Sequence, residues 1–323
     1  MIASTAQSLT LPNAVPTRRL RISVVTETYP PEVNGVAMTI GRMVEALLDR
    51  GHIVQLIRPR QHRGDHPRRE QRLDILPLPG FPIPFYRELR MGFPAGRLLT
   101  EQWRETPPDV VHLVTEGPLG RSALDAARRL DLRVVSDFHT NFHSYSRHYG
   151  AGLLARPIMA YLRRFHNQTH GTLVPTEELA TELRALGFAN LGVLARGVDT
   201  RLFSPDHRDP ALRRSWGAGP DDPVALCVGR IAAEKNLQLA LTAYQALREI
   251  RPTARLVLVG DGPLTSRLKT RYPNVVFPGM RIGADLAAHY ASADFFLFPS
   301  LTETFGNVTL EAMSSGLAVV AVD

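Results

Sequence analysis

The sequence predicts an α/β protein made of two doubly wound domains, and three observations carry that prediction. Short β-branched runs alternate with helical segments, which is the pattern of a parallel sheet wound with helices. The alternation stops at Arg196–Pro210, a stretch with Gly197, Pro205, Pro210 and several charges, and then restarts. The chain is also 323 residues long, too long for one ordinary core and suited to two.

Taken in order, Met1–Thr17 is polar, lacks either periodicity and reads as a disordered extension over residues 1–18. Leu20–Thr26 is rich in Ile and Val and predicts a strand; a loop with two adjacent prolines leads to a helix over Val36–Arg50, which Gly51 ends. Strands follow at Ile53–Ile57, Val110–Val114 and Leu132–Ser136, with helices at Leu119–Leu130 and about Arg156–Gln168. The first domain then spans 19–198 and the second 199–323. In the second, strands are expected at Val224–Val228, Arg255–Val259, Val275–Phe277, Phe295–Phe298 and Leu317–Val322, with helices at Leu237–Ile250, Ala284–Ala291 and Val308–Ser315. The last strand is apolar with no helix after it to cover it, so the second domain is expected to be truncated at its C-terminal end.

Composition narrows the class. Apolar residues make up 44% and charged residues 21%, the balance of a globular chain. The single cysteine, Cys227, rules out an intrachain disulfide and points to a reducing compartment, so a cytoplasmic location is expected. No run approaches the roughly 18 apolar residues of a membrane span, and no secretory leader is visible. Thirty-eight Lys and Arg against 31 Asp and Glu give +7, which favours anionic partners in general.

Open parallel sheets bind ligands at the carboxyl ends of their strands, so the informative residues should follow the strands directly. After the first strand, ETYPPEVNG ends on Gly35 at a helix start, where amides can approach an anion. After Val228, GRIAAEKN places Arg230 and Lys235 around the next helix N-terminus. Read alone they are ordinary surface charges. Cations there oppose the helix dipole unless an anion lies between them, however, and that points to a diphosphate. FPSLTETFGNVTLEAMSSG puts Glu303 in a loop and Glu311 inside the helix. Gly306 permits close approach, so the amides of Asn307 and Val308 can face phosphate oxygens. Carboxylates accept paired hydroxyls, the usual way to hold a ribose or hexose; the alternative is a capping loop with one solvent-facing glutamate.

Together these segments resemble the retaining glycosyltransferase family 4, a group of GT-B fold. The Glu-x7-Glu of ETFGNVTLE matches its hallmark, and ETYPPEVNG, GR…EKN, the GDGP turn at Gly260–Pro263 and EAMSSG stand in the family's order over about residues 20–323. Ala318 departs from the pattern, where a proline commonly follows. The resemblance implies that Gly35 approaches the donor diphosphate, that Arg230 and Lys235 neutralise it, that Glu303 holds the donor hexose and that Glu311 holds the ribose. It also implies that His139, at a strand end in VVSDFHTNFHSY, contacts the donor sugar, ahead of His143. The implied reaction is transfer with retention from a nucleotide-diphosphate sugar, with no cofactor. The chain has no Asp-x-Asp, and metal independence is expected.

The wording of ETYPPEVNGVA and FHTNFHSYSRHYG is most similar to bacterial GDP-mannose-dependent or lipid-directed transferases, which makes mannose the first expected donor sugar. A UDP-glucose or UDP-galactose lipid transferase, an epimerase and a phosphorylase of the same fold stay open. On the acceptor side, Arg58–Arg72 is rich in Arg and His, and Leu76–Pro94 is apolar and aromatic. Together they suit an anionic membrane surface and a lipid or glycan acceptor. Apolar positions in Arg147–Arg164 offer an amphipathic face or, equally, a core helix. A dinucleotide oxidoreductase is excluded because GDGPLT lacks the third glycine. Nucleic acid is excluded as a partner because the basic residues do not interleave with a stacking platform.

Overall fold

The computed structural model describes residues 18–32, 34–83, 86–139, 152–300 and 305–322. They divide into two compact units, one running to Asp137 and including Phe165–Thr172, the other comprising Phe138–Arg164 and Leu173 onward.

The strands in chain order are β1 (Arg21–Val25), β2 (Ile53–Pro59), β3 (Arg68–Arg69), β4 (Leu73–Leu78), β5 (Gly80–Ile83), β6 (Tyr86–Gly92), β7 (Val110–Leu113), β8 (Val134–Asp137), β9 (Gly171–Val174), β10 (Leu191–Val193), β11 (Val224–Val228), β12 (Arg255–Val259), β13 (Val276–Gly279), β14 (Phe295–Phe298) and β15 (Ala318–Ala321). The helices are α1 (Gly35–Asp49), α2 (Gly96–Glu105), α3 (Pro118–Arg129), α4 (Gly152–His166), α5 (Glu177–Ala185), α6 (Pro210–Ser215), α7 (Leu237–Ile250), α8 (Thr265–Arg271), α9 (Gly283–Ala291) and α10 (Asn307–Ser314).

In the first unit the strands pair in the order β8-β7-β1-β2-β4-β3, parallel except for the short edge strand β3. Strand β1 pairs with both β2 and β7, Val24 standing opposite Leu56 and His112. Its Val24 and Val25 are fully buried, as expected of a central strand covered on both faces. Helix α1 begins because the Asn34 side chain accepts the Ala37 amide at 2.8 Å, an N-cap, and it turns Ile40 and Val44 inward at i, i+4 spacing.

Two stretches that the sequence describes only by composition take definite form here. The segment Leu76–Pro94 is largely ordered β structure: β4 extends the sheet, and β5 and β6 form an antiparallel hairpin with Gly80 opposite Gly92. Helix α2 follows, with Leu99 and Trp103 buried one turn apart. The basic stretch is not uniformly exposed either. Arg58 is buried and forms an ion pair with Asp65 at 2.5 Å, so one of its charges is structural.

The second unit holds a five-stranded, wholly parallel sheet in the order β13-β12-β11-β14-β15. The VALCV run of β11 is central and packs into both flanking cores, Val224 and Leu226 on one side and Ala225 and Cys227 on the other. A third cluster joins Phe138, Leu162, Val174 and Leu183, with Ile158 and Met159 packed against it. The apolar face of α4 is therefore core, and of the two readings of Arg147–Arg164 the described residues favour the packed one. On β15, Val320 stays exposed.

Candidate functional site

Strand order in the second sheet reverses between β11 and β14, and such a switch point opens a crevice at the carboxyl ends of the two strands. A small pocket lies there, lined by Val228, Gly229, Arg230 and Lys235 from the β11 side and by Phe298 and Ser300 from the β14 side. Its floor includes Cys227, whose thiol burial pushes up to about 12, so that it stays neutral.

The loop carrying Arg230 is held from beneath by the GDGP turn. The Gly229 amide donates to the Val259 carbonyl at 3.0 Å and the Ile231 amide to the Asp261 carbonyl at 2.9 Å. Gly260 has φ +135°, and a β-carbon there would stand 1.9 Å from the Gly229 oxygen. Two backbones meet at a distance only glycine allows, so GDGP is a packing motif under the pocket rather than part of its lining.

Arg230 is about one-third exposed and faces Glu234 at 3.5 Å, a long and partly hydrated pair. Lys235 ends a 3-10 turn over Ala233–Lys235, and left-handed Asn236 (φ 48°) then redirects the chain into α7. Both cations thus border one pocket.

The start of α10 does not itself line the pocket but stands next to Phe298, which does: Gly306 is the N-cap of α10 in the left-handed region, φ +77°, and a β-carbon there would press on Phe298 at 3.1 Å. Asn307 and Val308 open the helix, ahead of its first intrahelical bond. Glu311, one turn further, is 9% exposed, and its Oε2 accepts the Tyr290 hydroxyl at 3.0 Å. A solvent-facing glutamate is excluded. Burial first, and then the Glu311 charge, hold the Tyr290 phenol well above its ordinary value, so Tyr290 remains a donor. Glu303 and His143 lie outside the described residues.

His139 follows β8, as expected, and its Nδ1 lies 2.7 Å from Arg196 Nη2. The Arg196 guanidinium also sits 6.0 Å from the Phe305 ring centre, beside Gly306. Gly35, in the first unit, is exposed at the first position of α1.

Sequence reasoning missed Tyr290, Arg196 and Glu27. Glu27 was read only as part of a loop, but it is buried and its carboxylate accepts the amides of Gly92 at 2.9 Å and Leu119 at 3.1 Å, tying the hairpin to the start of α3. Its signal was its place at the switch point between β1 and β7; Tyr290 and Arg196 carried none. A Ser136–His166–Glu116 chain also occurs in the first unit, with contacts of 2.9 and 3.1 Å. Ser136 is wholly buried and bonded to Thr172, so this is a satisfied core network and not a nucleophile.

Two doubly wound sheets, one with a cation-bordered switch-point pocket, define the GT-B class of glycosyltransferase fold. Sucrose-phosphate synthase from Thermosynechococcus elongatus has the same fold, with a TM-score of 0.74 at 17% identity over 94% of this chain and 81% of that one. The chain belongs to Glycosyltransferase Family 4, matched over residues 33–253, with the domain of the group 1 glycosyl transferases matched over residues 222–323. It is 37% identical over 309 residues to the GDP-mannose-dependent alpha-mannosyltransferase of Mycobacterium tuberculosis, covering 94% of this chain and 79% of that protein. It is 29% identical to the alpha-monoglucosyldiacylglycerol synthase of Streptococcus pneumoniae, covering 94% and 71%.

Proposed function

We propose that this glycosyltransferase moves a hexose, mannose in the first instance, from a nucleotide-diphosphate sugar to a lipid or glycan acceptor with retention at the anomeric carbon. The observation that carries the reading is the switch-point pocket bordered by Arg230 and Lys235 and facing the start of α10 through Phe298 and Gly306. The diphosphate sits there; Glu311 holds the ribose, Glu303 and His139 the hexose, and Gly35 approaches the diphosphate by its backbone. When the anomeric C–O bond breaks, its electron pair leaves on the diphosphate. The acceptor oxygen bonds to the anomeric carbon from the same face and passes its proton to the departing phosphate. The cations and the amides of Asn307 and Val308 meet the growing charge, so no metal is required. Chelation should leave turnover unchanged, and its abolition by chelator would overturn that part.

Mannose is favoured because the relative with 37% identity is GDP-mannose-dependent. The lipid acceptor rests on the diacylglycerol-directed synthase and on one surface of the chain. Phe93, 49% exposed, lines an open groove with Leu98 and the well-exposed Arg97, and its ring centre lies 5.2 Å from that of Phe81, which is 37% exposed. Aromatic, apolar and cationic groups together suit an anionic bilayer surface, here the cytoplasmic face. No described helix is long and apolar enough to cross a membrane. Phe93→Ser with Arg97→Glu should abolish sedimentation with anionic liposomes, and full retention would defeat the peripheral reading.

The deciding measurement is a panel of GDP-mannose, UDP-glucose and UDP-galactose against lipid and glycan acceptors, scored by diphosphate release. Release of GDP only when acceptor is present is expected. Release of UDP instead would move the assignment to the lipid glucosyltransferase reading favoured by the diacylglycerol-directed relative, and no acceptor-dependent release at all would defeat the transfer reading.

A further inference from the structure

We infer that Arg196 is a positioning residue for His139, fixing its imidazole as the Nε2–H tautomer so that the ring presents a hydrogen-bond donor to the donor hexose. The inference rests on the proposed role of His139 at the sugar.

The chemistry of the contact sets the tautomer. A guanidinium carries only N–H donors and keeps its charge, so a ring nitrogen 2.7 Å from Arg196 Nη2 accepts. That nitrogen is Nδ1, and the proton of a neutral ring then sits on Nε2. Nε2 is buried in this structure, so a hexose hydroxyl has to displace what covers it; on reaching Nε2 it finds a donor, and with the other tautomer it would find only a lone pair. The guanidinium is itself held in place. It also lies 6.0 Å from the centre of the Phe305 ring, and Phe305 precedes the glycine that caps α10. One arginine thus links the histidine to the residue that precedes the cap of α10, and a shift of that cap on donor binding would be felt at the imidazole.

Nitrogen-15 spectra of histidine-labelled full-length protein, with His139 assigned by its loss in His139→Gln, read the tautomer directly. The expected result is a protonated Nε2 in the parent and in Arg196→Lys, which keeps a donor and a charge, and a mixture of tautomers in Arg196→Ala. With it, kcat should fall about tenfold in Arg196→Ala and recover in Arg196→Lys, the melting temperature and the nucleotide Kd staying unchanged. A protonated Nδ1 in the parent, or the same spectrum in Arg196→Ala, would overturn the inference and leave the reading of the fold and pocket intact. A changed spectrum with unchanged turnover would overturn it by a different route, since His139 would then do nothing at the sugar.

Discussion

The Tyr290 hydroxyl donates to Glu311 Oε2 at 3.0 Å, between a fully buried phenol on α9 and a nearly buried carboxylate on α10. The bond fixes the carboxylate's orientation before any ligand arrives. Truncation to Tyr290→Phe removes a hydrogen bond to a charged group and should cost about 1.5–3 kcal/mol of stability. If Glu311 holds the ribose, the donor KM should rise with it while kcat changes little. Calorimetric titration with the nucleoside diphosphate and with its 2′,3′-dideoxy analogue separates the effects: the variant should weaken the first and leave the second alone. Equal weakening of both would remove the ribose assignment.

Charge stabilisation should show the opposite kinetic pattern. Lys235→Ala is expected to lower kcat by roughly 100-fold with a smaller change in donor affinity, because developing charge on the leaving diphosphate exceeds its ground-state charge. Glu311→Gln should raise the donor KM at nearly constant kcat. Steady-state kinetics on both variants check the division, and identical kcat losses at unchanged donor affinity would refute it.

How much of this was legible in the sequence depended on range. The VALCV strand and the helix after it announce themselves by local pattern, because a strand covered on both faces must be apolar throughout. Arg230 and Lys235 were legible as neighbours at the end of β11, because both follow that strand closely in sequence, and the structure sets both at one pocket. The β5–β6 pairing was not, since prolines within Gly80–Ile83 weaken any strand signal while Gly80 nevertheless stands opposite Gly92. Arg58 looked like one more surface charge until Asp65, seven residues on, was found buried beside it. Tyr290 and Glu311 are 21 residues apart on different helices, and no periodicity links them.

The Gly260–Gly229 contact makes a sharp prediction about GDGP. Gly260→Ala introduces a β-carbon 1.9 Å from a backbone oxygen at a φ of +135°, so either the loop carrying Arg230 moves or the unit loosens. A stability loss of at least about 3 kcal/mol is expected, with nucleotide binding lost alongside. Gly197→Ala is the matched control, because nothing lies within 4 Å of its β-carbon position. Denaturant titration of both variants gives the answer; a Gly260→Ala protein as stable as the control would show that the close approach is not required.

Glu27 supplies a pH signature with a defined sign. Burial pushes its carboxyl from 4.5 up to about 7, against the amides of Gly92, Leu119 and Gly120 that favour the anion. Between those two values the folded protein binds a proton that the unfolded chain has released. The contribution is therefore complete below about pH 4.5 and is lost as pH rises through about 7, in total roughly 3 kcal/mol. Asp65 acts in the opposite sense: burial pushes it up, but its bonds to Arg58 hold it below its ordinary value, and its contribution is lost as pH falls. Comparison with Glu27→Gln isolates the one group. The substitution keeps an acceptor for one amide and turns an N–H toward the other, so it should be less stable at pH 5, by about 1–3 kcal/mol. The gap should close or reverse by pH 8, as the parent loses its proton and the variant does not titrate. Urea denaturation of both proteins at the two pH values measures this directly, and a stability difference that is the same at pH 5 and pH 8 would mean that Glu27 is already ionised in the folded state.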